Sequence, residues 1–225
     1  MTPDPISPIS GRRLGVLISG RGSNLQALID AVANRRLDAV ISVVISNRED
    51  AGGLDRARRA GIETICLSHR GWSSRDDYDR ALVKELQQRR VDVVCLAGFM
   101  RVLGMPMIEA FPNRVLNIHP SLLPSFPGAD AQRQAFEHGV KVAGVTVHLV
   151  TTELDGGPIV LQRVVHVLET DTADTLAARI LEEEHHAYVE AVKILLEEPW
   201  SVDGRRFVRR ARVGEVSGAR PPAGS

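Results

Sequence analysis

Hydrophobic residues fall into short runs that alternate along the chain with segments of helical periodicity. The runs are bounded by polar or glycine-rich residues, as expected for strands that are buried on both faces. The first half of the chain contains four predicted strands, at 14–19, 40–46, 63–67 and 91–96. The three predicted helices between them cover 25–32, 50–60 and 73–90. This alternation predicts an α/β fold with a doubly wound, mostly parallel sheet and right-handed connections.

The second half of the chain predicts an extension of this sheet. The run 115–118 continues the parallel strands, and 128–139 has the character of a helix that begins after a Pro-Gly pair. The runs 142–150 and 159–167 are separated by a turn. We therefore expect them to pair as an antiparallel C-terminal extension of the sheet.

Residues 172–198 predict a long C-terminal helix, with a cap at Asp171 or Thr172. One carboxylate, that of Glu184, falls on the apolar face of this helix. An unpaired carboxylate inside a core is costly, so two interpretations stand side by side. Glu184 either reaches solvent near the helix start or pairs with an arginine, or else it faces a ligand.

The chain has 225 residues, which is enough to bury roughly 70% of the surface that the unfolded chain exposes. We predict a single domain over 13–200, preceded by a disordered lead at 1–12. The segment 201–225 is predicted to be an arginine-rich and then disordered tail, whose arginines form a solvated charge run.

The composition is that of an ordinary soluble protein, with 44% hydrophobic and 25% charged residues. The 28 basic residues balance 28 acidic ones, so nothing indicates a nucleic-acid-binding surface. No apolar run approaches the ~20 residues that a membrane helix needs, and the Pro- and Ser-rich start lacks the apolar core of a signal peptide. We therefore expect a cytoplasmic protein, in which Cys66 and Cys95 are buried free thiols.

A glycine-rich loop at 20–24 joins the first predicted strand to the first predicted helix. The backbone N–H groups of such a loop, together with the helix dipole, favour an anion such as a phosphate. Leu25 stands where a dinucleotide-binding motif would have its third glycine, so the pattern indicates a monophosphate rather than a pyrophosphate. A tight turn without a ligand is the alternative.

Three polar residues lie at the ends of apolar runs: Asn117, His119 and Asp155. Asn117 and His119 are two residues apart and so point to the same side of one strand, while Asp155 lies in a turn from which it can reach that side. An amide can donate to an oxyanion, an imidazole can move a proton near neutral pH, and a nearby carboxylate would raise the His119 pKa. Each residue alone would be structural, but together they predict direct acyl transfer between two bound substrates. The spacing of the histidines predicts no metal site.

In these residues the chain resembles the phosphoribosylglycinamide formyltransferase family, the folate-dependent enzymes of purine synthesis. The resemblance extends from about Leu14 to Leu196. Four segments carry it: ISGRGSNLQA at 18–27, LAGFMR at 96–101, NIHPSLLP at 117–124 and ELDGGP at 153–158. The resemblance implies a Rossmann-like formyltransferase fold.

The resemblance also implies a reaction, in which a formyl group moves from the co-substrate 10-formyltetrahydrofolate to the amine of glycinamide ribonucleotide. It assigns the catalytic roles to Asn117 as oxyanion donor, His119 as proton shuttle, and Asp155 as the carboxylate that raises the His119 pKa. The implied substrate-binding residues are Gly22, Ser23 and Asn24 around the phosphate, and Glu184. This implication favours a ligand-facing Glu184.

The folate site that the resemblance implies has two sides. Residues 100–103 line the pterin pocket, partly through backbone groups, and 151–155 form the other side. The implied folate-binding residues are Arg75, Met100, Arg101, Val102, Leu103, Asn117, Thr151, Thr152, Glu153, Leu154 and Asp155. Ala129 and Asp130 depart from the family's pattern, so the resemblance does not describe how the segment around them closes.

Three alternatives remain at this stage. Methionyl-tRNA formyltransferase shares the NIHPSLLP segment at 117–124, but it normally has a further C-terminal domain for tRNA. Formyltetrahydrofolate deformylase is a hydrolase whose catalytic half is similar, and a non-catalytic ligand-binding protein on the same fold would belong to a different class. The expected partners are small-molecule substrates, with no nucleic acid and no membrane. The protein is expected to be a monomer or a homodimer.

Overall fold

A computed structural model describes residues 11–209 of the chain. The nine strands are β1 (Arg13–Ile18), β2 (Val40–Ser46), β3 (Thr64–Cys66), β4 (Val93–Leu96), β5 (Val115–His119), β6 (Val142–Leu149), β7 (Ile159–His166), β8 (Trp200–Asp203) and β9 (Arg206–Arg209). The six helices are α1 (Ser23–Ala33), α2 (Gly52–Arg59), α3 (Arg75–Gln88), α4 (Met105–Ala110), α5 (Ala131–Glu137) and α6 (Ala173–Glu197).

All nine described strands form one sheet, in the order β3-β2-β1-β4-β5-β6-β7-β9-β8. Strands β1 to β5 pair in parallel, whereas β6 is antiparallel to both β5 and β7. The predicted doubly wound sheet, its antiparallel extension and the long C-terminal helix are therefore confirmed. The chain reverses its direction of travel across the sheet between β1 and β4, and ligands bind in the crevice at such a point.

The helices form two layers that bury opposite faces of the sheet. Helices α1, α2 and α6 cover the face to which Leu116 and Ile118 point, while α3 and α4 cover the face to which Val115 points. Tyr188 of α6 is fully buried, and its hydroxyl donates to the carbonyl of Leu96 at 2.9 Å. Each large apolar side chain buried in this way contributes about 1.5–3 kcal/mol. The core thus fixes the ends of β4 and β5 firmly against α6.

The sheet continues past residue 200, where the predicted domain boundary lies. Trp200 is fully buried, donates its indole N–H to Leu195 O at 3.1 Å and stacks on Phe207 with ring centroids 5.1 Å apart. The start of the predicted solvated tail is therefore a structured hairpin up to Arg209, because the buried Trp200 and the partly buried Phe207 anchor it. Of the predicted disordered lead at 1–12, residues 11 and 12 are described, and Arg12 pairs with Asp38. Residues 1–10 and the part of the predicted tail beyond Arg209 lie outside the described residues.

Helix α4 and the exposure of Cys66 also differ from the expectations. No pattern in the sequence predicts α4, because six residues are too few to show a helical period. Cys95 is buried as expected, but Cys66 is exposed, because it lies on the edge strand β3. Both thiols are free.

None of the described helices is long and apolar enough to cross a membrane. Within residues 11–209, no group of three or more His, Cys, Asp or Glu side chains is placed to hold a metal ion.

Candidate active site

The candidate catalytic residues lie where β5 ends beside β6. Asn117 and His119 alternate with Leu116 and Ile118, so they share the face to which Val115 points. The antiparallel register places Asn117 opposite His148 of β6. The structure therefore brings an amide and two imidazoles to one side of the sheet.

Asp155 reaches this group from the turn between β6 and β7. Its backbone is left-handed, with φ of 50°, a conformation that Asp and Asn adopt more readily than most residues. Its Oδ2 lies 3.5 Å from His119 Nδ1, and its Oδ1 lies 3.7 Å from His148 Nε2. The N–H of Gly128 donates to Oδ2 at 2.8 Å. The predicted convergence of Asn117, His119 and Asp155 is thus present, with His148 as a fourth member.

The hydrogen-bond partners indicate which ring nitrogens carry protons. His119 Nε2 lies 2.9 Å from the carbonyl oxygen of Phe126, and a carbonyl can only accept, so Nε2 carries the hydrogen. Nδ1, which faces Asp155, is therefore the nitrogen that can gain or lose a proton while Nε2 stays bonded.

The same reasoning applies to His148. Its Nδ1 donates to the carbonyl of Leu149 at 3.0 Å, so Nε2 is free to accept from the Asn117 amide nitrogen 3.1 Å away. One N–H of Asn117 is thereby held by His148. The other N–H is left to donate elsewhere, as an oxyanion donor must.

The pKa of the Asp155 carboxyl lies below its ordinary value. Burial raises the pKa, but the interaction with His148, the N–H of Gly128 and the charge of His119 together outweigh burial. The 3.7 Å gap to His148 exceeds a direct hydrogen bond, so the N–H of Gly128 is the direct donor to this carboxylate. Asp155 is accordingly an anion at neutral pH.

His148 is the residue of this group that the sequence does not reveal. Its spacing from Asn117 and Asp155 has no local pattern, and only the register of β5 against β6 brings it to them. A register shift of one residue would point it to the opposite face. The one signal that the sequence offers is a histidine within a run of alternating apolar residues. In the structure this histidine is 2% exposed.

The glycine-rich loop joins β1 to α1, as predicted. Gly22 has a φ of 72°, and a Cβ there would lie 2.6 Å from the Cα of Gly53, so a side chain is excluded. Gly22 is also the N-cap residue of α1 and has no side chain to cap the helix. The first N–H groups of α1, at Ser23 and Asn24, are therefore available to an anion.

Glu184 contacts this loop. It is 6% exposed, and its Oε2 accepts from Asn24 Nδ2 at 2.7 Å. Neither a solvent-reaching nor an arginine-paired Glu184 agrees with this environment within the described residues. Burial raises the pKa of the Glu184 carboxyl, and the Asn24 hydrogen bond opposes this only in part. The structure thus joins Asn24 and Glu184 at the start of α1.

The segment after β4 contains the first set of predicted folate-binding residues. Met100 is 77% exposed and Val102 is 44% exposed, whereas Leu103 is buried in the core beside α3 and α4. The guanidinium of Arg101 lies 6.0 Å from the ring centre of Tyr78. Arg75, at the start of α3, is near Gly104, where an added Cβ would lie 3.4 Å from its Nε. Arg75 therefore lies beside the 100–103 segment.

The 151–155 segment presents a further apolar side chain, because Leu154 is 57% exposed. The backbone N–H of Glu153 donates to Thr151 Oγ1 at 3.3 Å, and Arg205 of the C-terminal hairpin pairs with Glu153 at 2.9 Å. Thr152 lies between these two residues and is exposed. Leu154, Met100 and Val102 are thus three exposed apolar side chains in the two segments that the resemblance assigns to the folate.

Hydrogen bonds tie the loops after β1 and β4 together. The N–H of Met100 donates to Ser19 Oγ at 2.8 Å, and the Ser19 hydroxyl donates to Asn47 Oδ1 at 2.6 Å. The glycine-rich loop follows β1 and the Asn117–His119 group lies on β5, with only β4 between these strands, so the two strand axes lie roughly 10 Å apart. This distance suits one small molecule spanning both.

Residues 12–192 match the family model described as formyl transferase. A phosphoribosylglycinamide formyltransferase of Escherichia coli is 47% identical over 190 residues, which cover 84% of this chain and 87% of that protein. The human trifunctional purine biosynthetic protein adenosine-3 is 46% identical over 81% of this chain, but the chain spans only 18% of its length.

Solved structures show the same relation. A glycinamide ribonucleotide transformylase of Symbiobacterium toebii is 55% identical, with a TM-score of 0.85, over 88% of this chain and 93% of that one. A formyltetrahydrofolate deformylase of Pseudomonas syringae is more distant, with 28% identity and a TM-score of 0.82 over 89% of this chain and 66% of that one. The chain belongs to the formyl transferase family and, within it, to the phosphoribosylglycinamide formyltransferases.

Proposed function

We propose that this protein transfers the formyl group of 10-formyltetrahydrofolate to the amine of 5'-phosphoribosylglycinamide, a step of purine biosynthesis. The observation that carries the proposal is the convergence of Asn117, His119 and Asp155 at the end of β5. The identity to named phosphoribosylglycinamide formyltransferases over most of the chain supports the choice of substrates.

The arrangement supports direct transfer in two steps. The amine of the ribonucleotide attacks the formyl carbon, and the carbonyl oxygen becomes an oxyanion that accepts from the free N–H of Asn117. The bond between the formyl carbon and N10 of the folate then breaks. His119 takes up the proton that the amine loses, and a proton reaches N10 as it leaves. Asp155, 3.5 Å from His119 Nδ1, stabilises the imidazolium in between.

The thiol of Cys95 does not support a covalent formyl-enzyme, because Cys95 packs with Leu116 on the face of the sheet opposite Asn117 and His119. Burial raises the pKa of Cys95 to about 12, so this thiol stays protonated and is a poor nucleophile. The reaction is then accelerated because the two bound substrates are held close together, as in well-oriented intramolecular reactions.

The two substrates approach from opposite sides of the sheet edge. In our proposal the start of α1, with Gly22, Ser23 and Asn24, binds the phosphate, and Glu184 binds the ribonucleotide beside Asn24. The pterin and the formyl group occupy the space between 100–103 and 151–155, lined by the exposed Met100, Val102 and Leu154. Arg75 at the start of α3 lies beside that space, where its charge suits a carboxylate of the folate.

Hydrolysis by a deformylase would use a similar imidazole and carboxylate to activate water. A water molecule needs no phosphate site, so the uncapped start of α1 favours an acceptor that carries a phosphate. We place the reaction in the cytoplasm, with the folate as a co-substrate rather than a resident cofactor, and with small molecules as the only partners required.

The Glu184→Gln variant tests the ribonucleotide site. We expect the KM for the ribonucleotide to rise roughly tenfold or more, because a hydrogen bond to a charged group is lost, while the KM for the folate stays unchanged. The unliganded protein should at the same time become more stable, because the variant no longer buries a charge. The raised pKa of Glu184 makes this gain grow as the pH rises above 4.5 and level off above the folded-state pKa.

Steady-state kinetics with each substrate varied and chemical unfolding at several pH values measure the two effects. Glu182→Gln is the matched control, because Glu182 is an exposed glutamate of the same helix. An unchanged ribonucleotide KM, or equal losses for both substrates, would contradict the placement of the ribonucleotide beside Glu184.

A further inference from the structure

A cleft of about 380 Å³ opens beside the start of α1. It runs between α1, α2 and α6, and the residues that matter here are Ser23, Gln26, Arg36 and Arg56. Because Ser23 is the first residue of α1, the cleft adjoins the N–H groups to which the phosphate is assigned. The roles proposed above use Ser23 but assign nothing to the two arginines of this cleft.

Arg56 of α2 is held rigidly in this cleft. Its Nε donates to the carbonyl of Arg21 at 2.9 Å, and its Nη1 donates to Gln26 Oε1 at 3.2 Å. Its Cδ lies against the backbone of Gly22, 3.6 Å from where a Cβ would be. The guanidinium is therefore fixed to the glycine-rich loop itself, before any ligand arrives.

Neither of these partners neutralises the charge of Arg56. Both are neutral oxygens, and no carboxylate in the described part of the chain lies within 4.0 Å of its guanidinium. A guanidinium has five N–H donors, of which only two are committed in the described residues. The remaining donors belong to Nη1 and Nη2 and are left for a ligand in the cleft.

A phosphate monoester at the start of α1 requires a cation of this kind. It carries a charge of about −1.5 to −2 at neutral pH, whereas the helix start supplies only about +0.5. Glu184, which bonds Asn24 at the start of α1, adds no positive charge when it is protonated and repels the phosphate when it is ionised. Arg56 is the cation that the structure fixes against the loop.

We propose that Arg56 is a specificity-determining residue that recognises the phosphate of the acceptor. Its guanidinium reaches the phosphate from the cleft. The proposal rests on the proposed function, because it concerns the same ribonucleotide site. It adds that the glycine-rich loop alone does not provide the preference for a phosphorylated acceptor over the corresponding nucleoside.

The test compares two acceptors, glycinamide ribonucleotide and the same molecule without its phosphate. In the Arg56→Gln variant we expect kcat/KM for the ribonucleotide to fall roughly 10- to 100-fold, as for the loss of a charge-assisted hydrogen bond. For the nucleoside, kcat/KM should change by less than about twofold, and Arg56→Lys should restore part of the ribonucleotide activity. Arg58→Gln is the control, because Arg58 lies on the same helix and pairs with Asp55 at 2.8 Å.

Equal losses with both acceptors would show that Arg56 only supports the loop, and would overturn the proposal, as would an unchanged ribonucleotide kcat/KM. Binding of inorganic phosphate, followed by titration calorimetry on the unliganded protein, gives a second measurement that needs no turnover. Phosphate should bind more weakly to Arg56→Gln than to Arg58→Gln, and equal affinities would also overturn the proposal. If the unaltered protein turned over neither acceptor, the proposed function would fail, while the phosphate titration would still decide the role of Arg56.

Discussion

Replacing Asp155 with asparagine is expected to lower kcat by roughly 10²- to 10⁴-fold, the range for loss of assisted proton transfer. The carboxylate lies 3.5 Å from His119 Nδ1 and 3.7 Å from His148 Nε2, so its removal leaves the protonated imidazole of His119 without a nearby negative charge. Asparagine tolerates the left-handed backbone at this position, where φ is 50°, and can still accept from the N–H of Gly128. The loss should therefore come from charge rather than from refolding of the turn.

The stability difference between Asp155→Asn and the unaltered protein should shrink as the pH falls. The pKa of Asp155 is lowered below 3.8 in the folded protein, because the interaction with His148, the Gly128 N–H and the charge of His119 outweigh the opposing effect of burial. The stabilisation from this carboxylate is therefore fully present above pH 3.8 and is lost as the pH falls through the folded-state pKa. Chemical unfolding of both proteins between about pH 2 and pH 7 would follow it.

Asp38→Asn provides the matched control for Asp155→Asn. Asp38 is exposed, pairs with Arg12, and precedes β2 at the opposite end of the sheet. Its replacement should leave kcat within about twofold of the unaltered protein, since surface ion pairs contribute little. A change in kcat of less than about threefold for Asp155→Asn would be similar to that expected of the control. Such a result would contradict the proposed role of the carboxylate.

Replacing Asn117 with alanine is expected to lower kcat by about 10²- to 10³-fold with little change in either KM, the behaviour of a lost oxyanion donor. Asn117 donates one N–H to His148 Nε2 at 3.1 Å, and its other N–H is left for the developing oxyanion. Because this bond strengthens as the oxyanion forms, its loss affects the transition state more than the bound substrates. Single-turnover kinetics with both substrates saturating would measure the chemical step itself.

His148→Ala serves as the comparison for Asn117→Ala. His148 touches Asn117 and Asp155, and in our account it acts only by orienting them, so its removal should slow the reaction less than loss of Asn117. The double variant should be slower than Asn117→Ala by less than the effect of His148→Ala alone, because the part of that effect that acts through the Asn117 amide does not add. Additive losses would show that His148 acts independently of the Asn117 amide.

The sheet and the convergence of Asn117, His119 and Asp155 were open to prediction because both depend on local rules. Strand periodicity places two side chains on one face, and the chain direction in a doubly wound sheet places the ends of neighbouring strands together. His148 obeys no such rule. Its position depends on the register between β5 and β6, which comes from packing across the whole sheet rather than from a short motif.

Other features could not be predicted from the sequence, for related reasons. The hairpin after α6 consists of two strands of four residues, which are too short to show alternation, and its stability comes from the stacking of Trp200 on Phe207. Arg56 lies on an ordinary charged helix, and only the contact of α2 with the loop at Gly22 shows its position. Glu184 was recognisable as an anomaly on an apolar face, but its contact with Asn24 required the structure.

The most direct test is to incubate the protein with 10-formyltetrahydrofolate, with and without glycinamide ribonucleotide, and to follow loss of the formyl group from the folate by absorbance. We predict turnover only when the ribonucleotide is present, with formation of the formylated ribonucleotide, and no measurable turnover by His119→Ala. Release of formate at the same rate without the ribonucleotide would contradict the account, because the protein would then be a hydrolase that uses water as its acceptor.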